Sequence, residues 1–248
     1  MRWILPIVLI AKATFAAAAP PADCVVLLHG LARTEVSFLV MEEALAAEGY
    51  ATVNSDYDST AAPIETLAAT AVPEAIAACP VDAPKIHVVT HSMGGILMRQ
   101  WMANAPPPDL LARLGRTVML APPNQGSELV NTLAGLAPFD WINGPAGAQL
   151  GTDGLPSRLG PVWPGVGIIA GDRSLNPVYS RLLPGPDDGK VSVASTRVDG
   201  MDAHLTLPLT HTFLMNSPLV VGQVLTFLRQ GRFDPDLDMI DVLGDLAD

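Results

Sequence analysis

The sequence has little charge, few aromatic side chains and almost no cysteine. Charged residues fill 16% of its 248 positions and aromatic residues 5%. Two cysteines, Cys24 and Cys79, are too few for a scaffold built on disulfides, and they lack the spacing of a metal site. There is no Lys/Arg cluster, and 14 basic residues face 25 acidic ones for a net charge of -11. That balance argues against a nucleic-acid partner and against an anionic membrane surface. No apolar run is long enough to span a bilayer as an ordinary helix, so no stable membrane span is expected. What the chain does have is apolar material. Hydrophobic residues make up 49%, which excludes a disordered or fibrous chain and leaves enough for a sizeable core.

The first residues have the pattern of an export leader. Met1-Arg2 give a positive start, Trp3 to Ala11 are apolar, and small residues run from Ala16 to Ala19. Residues 1–18 are therefore expected to be a signal peptide, with cleavage after Ala16 or Ala18. Its removal takes away Arg2 and Lys12 and no acid, so the mature chain is more acidic still. The expected location is outside the cytoplasm, periplasmic or secreted.

Residues 19–232 alternate strand and helix patterns. Val25 to Leu28, Ala51 to Val53, Ile86 to Val89, Thr117 to Leu120, Val166 to Ile169 and Val191 to Val193 are short apolar runs that read as strands. Between them, Phe38, Met41 and Leu45 recur at helical spacing. Ile64 to Ala78 reads as a helix kinked or restarted at Pro73, and a further helix runs from Gly94 to about Ala103. Pro218 to Gln230 is a strong final helix ended by Gly231. Such alternation implies an α/β fold with a mostly parallel sheet covered on both faces. The stretch 126–164 breaks the alternation and is rich in Gly and Pro, with Phe139, Trp141 and Trp163 among them. It is expected to be a cap or lid insertion whose aromatics line an acyl groove, form a mobile lid or make the cap's own core. Residues 233–248 carry six Asp and no basic residue, which predicts a solvated or loosely docked acidic tail.

The chemistry centres on Thr90-His91-Ser92-Met93-Gly94-Gly95, where a strand turns sharply into a helix. The bend pushes the Ser92 hydroxyl out of the carboxyl edge of the sheet, and the helix start places N–H groups beside it. A serine needs a base to take its proton. His211, in Leu209-Thr210-His211-Thr212, lies late in the chain just before the last helix and is favoured over His204. His29, His87 and His91 read as packed or hydrogen-bonded structural residues. The base needs an acid to hold its tautomer. Asp188 precedes Gly189 at a tight turn, with Asp172 and Asp187 as alternatives. Two N–H groups should face the developing oxyanion, one from Met93 and one from Leu31 in the loop His29-Gly30-Leu31-Ala32.

Together these segments resemble the α/β-hydrolase family, in its bacterial lipase and esterase branch. Leu28-His29-Gly30-Leu31 is similar to that family's oxyanion loop. Thr90-His91-Ser92-Met93-Gly94-Gly95 resembles its nucleophile elbow, with Thr90 where glycine is common. Pro122-Pro123-Asn124-Gln125-Gly126-Ser127 and Asp188-Gly189-Lys190-Val191 are similar to two further stretches of the branch. The resemblance runs from Val25 to about Phe233 and implies a compact sheet of about six strands. It also implies that the strands opened by Cys24 and Ile86 are neighbours, which would bring Cys24 and Cys79 together as a disulfide at the end of the sheet opposite the site. The implied activity is an exported serine hydrolase acting on a small-molecule or lipid ester, with no metal and no organic cofactor. Acyl transfer, amide hydrolysis or a non-catalytic lipid-binding role on the same fold are the alternatives.

Overall fold

The computed structural model describes residues 21–239, apart from the side chains of residues 138–140. The expected signal peptide, residues 1–18, and the tail beyond residue 239 lie outside the described residues. Six strands form one sheet: β1 (Cys24–Leu28), β2 (Ala51–Ser55), β3 (Ile86–His91), β4 (Leu114–Leu120), β5 (Val166–Gly171) and β6 (Ala203–Leu207). Their order is β2-β1-β3-β4-β5-β6, and every pairing is parallel. Parallel neighbours need a crossover each, and helices supply most of them. The helices are α1 (Leu39–Ala47), α2 (Ile64–Ala77), α3 (Met93–Ala103), α4 (Pro108–Arg113), α5 (Glu128–Leu133), α6 (Ala137–Ala148), α7 (Leu155–Arg158), α8 (Pro177–Ser180), α9 (Val193–Thr196) and α10 (Pro218–Gln230).

Strand β1 is buried along its whole length because helices cover both faces of the sheet. Val26, Leu28, Ile86 and Val88 pack on α2 and α3, through residues such as Leu67, Val72, Ile96 and Leu97. Val25, Leu27, Val89 and Val118 point the other way, onto Met41 and Leu45 of α1 and Val220, Val224 and Phe227 of α10. Fully buried side chains of this size each stabilise the fold by about 1.5–3 kcal/mol. Pro73 sits inside α2 without ending it. The carbonyl it leaves unpaired belongs to exposed Ala69, where water can serve it.

One expectation about an element needs correction. The last strand is not Val191–Val193. Gly189 turns the chain at φ 95°, and the Ser192 hydroxyl accepts the Ser195 N–H, starting the single turn of α9. The strand is β6, Ala203–Leu207, at the edge of the sheet. Its half-exposed sequence Ala-His-Leu-Thr-Leu alternates instead of forming an apolar run. The short α4 lies between α3 and β4.

Residues 126–164 hold the helices α5, α6 and α7. Trp141 is 87% exposed, so it is neither groove lining nor cap core, whereas Trp163 is partly buried against the core. The Phe139 side chain lies outside the described residues. The start of the acidic tail is docked: Phe233 is buried with its ring 4.8 Å from Phe227, and the Asp234 N–H donates to Gln223 Oε1 at 3.0 Å. Cys24, at the amino edge of β1, is joined by a disulfide to Cys79 just past α2, with Cα atoms 5.9 Å apart.

Candidate active site

Parallel strands share one carboxyl edge, and the loops leaving it converge. The segment after β1 brings Gly30 and Leu31, that after β3 brings Ser92, that after β5 brings Asp188, and that after β6 brings His211. Ser92 has φ 52° and ψ -122°, a conformation that an L-residue rarely adopts. Its N–H is fixed to the Leu120 carbonyl at 2.8 Å, and its carbonyl accepts the Gly95 N–H at 3.1 Å. Helix α3 starts immediately at Met93, whose N–H has no partner four residues back within the helix.

The bend depends on glycine at its far side. A Cβ at Gly94 would stand 2.3 Å from the Leu28 carbonyl oxygen. Thr90, at the elbow position where the resemblance suggests glycine, is fully buried. Its methyl and hydroxyl are accommodated because residue 95 is also glycine: a Cβ there would lie 3.2 Å from Thr90 Oγ1. The Thr90 hydroxyl has no hydrogen-bond partner among the described residues.

His211 is buried and its Nδ1–H donates to Asp188 Oδ2 at 2.7 Å. The Asp188 backbone carbonyl also accepts the His211 N–H at 2.9 Å. The other carboxylate oxygen of Asp188 accepts the N–H groups of Lys190 and Val191, at 2.9 and 2.8 Å. Neither rival acid is placed this way. Asp187 accepts from Gly189 N–H and the Ser180 hydroxyl, and Asp172 pairs with Arg173 at 2.8 Å. His204 lies in β6 with its Nε2 2.8 Å from Thr196 Oγ1. Burial, helped by the Arg197 charge, lowers its pKa to about 4.

The supporting histidines are held neutral. His91 is buried against the His211 ring, with centroids 4.6 Å apart, and burial lowers its pKa well below the ordinary histidine value. Its Nε2–H donates to the His211 carbonyl at 3.0 Å, so it fixes the backbone that carries His211. Burial also lowers His29, whose ring stacks on Tyr57 at 4.2 Å. The Tyr57 hydroxyl donates to the His29 carbonyl at 2.5 Å, and the Ser59 hydroxyl accepts the Ala32 N–H at 2.9 Å. Tyr57 and Ser59 thus hold the loop carrying Leu31 from the segment after β2. No motif marked either residue, since their role exists only through the packing of β2 beside β1.

Ser92, His211, Gly30 and Leu31 all line one cavity of about 680 Å³. Part of its lining is apolar, supplied by Leu129, Val130, Leu133 and Leu150 of the 126–164 segment. Buried Arg99 ties that segment to the sheet edge, donating to the carbonyls of Asn124, Leu159 and Gly160 at 3.0, 2.9 and 3.0 Å. Arg33 and Lys190 also line the cavity. Their proximity to the two motifs, in a chain poor in basic residues, was the available signal for them.

A parallel sheet with chemistry-bearing loops at its carboxyl edge and a strained serine between strand and helix defines a class, the hydrolases built on this sheet. A sequence profile of the alpha/beta hydrolase family matches residues 25–240, and the chain belongs to that family. Among solved structures it is similar to Bacillus licheniformis lipase BlEst2 in its mature form, at 18% identity and a TM-score of 0.65, covering 88% of this chain and 96% of that one. It is also similar to the metagenomic carboxyl esterase MGS0156, at 20% identity and a TM-score of 0.62, covering 95% and 78%. A third is the type II thioesterase BorB of the borrelidin biosynthetic cluster, at 17% identity and a TM-score of 0.52, covering 87% and 94%. At these identities the likeness is one of fold. No curated protein matches the sequence.

Proposed function

We propose that this chain is an exported serine hydrolase that cleaves carboxylic esters with an apolar acyl group. The observation that carries the reading is the shared cavity: Ser92 and His211 both line it, and Asp188 holds His211 from behind at 2.7 Å. Ser92 Oγ attacks the ester carbonyl while His211 Nε2 takes its proton. The Asp188 carboxylate keeps the proton of the neutral ring on Nδ1 and faces the imidazolium that forms. The N–H groups of Leu31 and Met93 receive the oxyanion. Collapse of the tetrahedral intermediate breaks the ester C–O bond, and His211 returns its proton to the departing alcohol. The acyl group stays on Ser92. Water, giving a proton to His211, then attacks the acyl-enzyme and releases the acid, and the proton returns to Ser92 Oγ.

The apolar lining supports an acyl chain as occupant, with residues 126–164 acting as a cap. Export is supported by the leader-like pattern of residues 1–18 and by the Cys24–Cys79 bridge, since disulfides persist in oxidising compartments. The test is hydrolysis of p-nitrophenyl esters, from acetyl to palmitoyl, with Ser92→Ala as the blank. Hydrolysis that falls on the order of 10^4-fold in Ser92→Ala is the expected result. Equal rates for the two proteins overturn the assignment.

A further inference from the structure

The cavity also carries positive charge along its lining. Arg33 and Lys190 both line it, and no carboxylate side chain does. Neither cation forms an ion pair among the described residues. This is unusual placement for a chain in which acids outnumber bases 25 to 14. Arg33 Nη2 donates to Thr212 Oγ1 at 3.0 Å, which leaves the rest of its guanidinium fork available. Lys190 follows Asp188 by two residues, and its carbonyl accepts the Ser127 hydroxyl at 3.0 Å. The surrounding protein and then the Arg33 charge lower the Lys190 pKa, while Asp188 behind it raises it. Both side chains line the same cavity, so an anion bound there would meet two positive charges.

Their position relative to His211 sets which part of an ester they meet. His211 must protonate the leaving alcohol oxygen, so the alcohol lies on the His211 side of Ser92. Arg33 is bonded to the residue after His211, and Lys190 belongs to the loop that holds it. Leu129, Val130, Leu133 and Leu150 line the same cavity and supply apolar surface for the acyl chain. We propose that Arg33 and Lys190 form an anion subsite for the alcohol portion of the substrate, selecting acyl esters whose alcohol carries a carboxylate or phosphate. The inference rests on the ester-hydrolase reading above and adds the substrate's charge and where it sits.

The test compares kcat/KM for matched, dispersed esters with one acyl chain: 3-carboxyphenyl octanoate against 3-carbamoylphenyl octanoate, and 1-octanoylglycerol 3-phosphate against 1-octanoylglycerol. The expected anionic-to-neutral ratio is about tenfold or more for at least one pair, because charge-assisted contacts are the strong ones. The pair with the larger ratio identifies the anion. The ratio should shrink with added salt and fall toward one in Arg33→Gln/Lys190→Gln. A wild-type ratio at or below one for both pairs, with the neutral esters turned over, overturns the subsite and leaves the hydrolase reading intact. So does a ratio that the double variant and salt leave unchanged. No turnover of any of the four esters above the Ser92→Ala blank overturns the ester-hydrolase reading and the subsite with it.

Discussion

Asp188 is distinguished from its rivals by the donors that surround it. Its carboxylate faces His211 Nδ1 and two backbone N–H groups, whereas Asp187 and Asp172 serve a turn and a surface arginine. Asp188→Asn should put an amide N–H against His211 and favour the wrong tautomer, cutting kcat on the order of 10^4-fold with little change in fold. Asp172→Asn should leave kcat within about twofold, since surface substitutions away from such features cost little. Equal losses in the two variants would contradict the assignment. Thr90 makes a different residue-scale prediction. Its buried hydroxyl lacks a partner, so Thr90→Val, which keeps the shape, should stabilise the protein by about 1 kcal/mol in urea unfolding. A lower unfolding midpoint would show that the hydroxyl has a partner after all.

At the scale of elements, most of the fold was legible because the central parallel strands read as apolar runs, and β1 and β3 are each followed by a helix pattern. The elbow was legible for the same reason: β3, Ser92 and α3 are contiguous in sequence, so the strand–turn–helix is a local signal. Edge strand β6 was not, because only one of its faces is well covered and its residues alternate. Val191–Val193 mimicked a strand through composition alone, and only the capping hydroxyl of Ser192 shows why it coils into α9. The placements of Tyr57, Ser59 and Arg99 were also invisible, since each acts on a loop remote in sequence. Within α10, Phe227 is fully buried and fills the space over Gly167, where a Cβ would stand 2.5 Å from its ring. Phe227→Ala should cost about 3–5 kcal/mol, read as a lowered urea midpoint. A loss below about 1 kcal/mol would mean that the sheet and α10 close over the cavity.

At the scale of the whole molecule, burial lowers the pKa values of His29, His87, His91 and His204, the last to about 4. In the unfolded chain each titrates near its ordinary value of about 6.5. Below that pH the unfolded state binds protons that the folded state refuses, so stability should fall as pH drops from about 6.5 toward 4. The urea midpoint at about pH 5 should therefore lie below that at about pH 7.5, and an equal or higher midpoint would contradict the neutral, buried histidines. The Cys24–Cys79 bridge closes a 55-residue separation. In the chain-entropy picture it stabilises the fold by about 4 kcal/mol, so its reduction should lower Tm while leaving the distant carboxyl-edge site assembled. The carboxyl-edge loops of the whole sheet converge on Ser92. The most direct test is fluorophosphonate labelling of the intact protein, followed by mass spectrometry of its peptides. One adduct per chain is expected, on Ser92, lost in His211→Gln and in Ser92→Ala. An unlabelled Ser92 in folded protein, or labelling undiminished in His211→Gln, would contradict it.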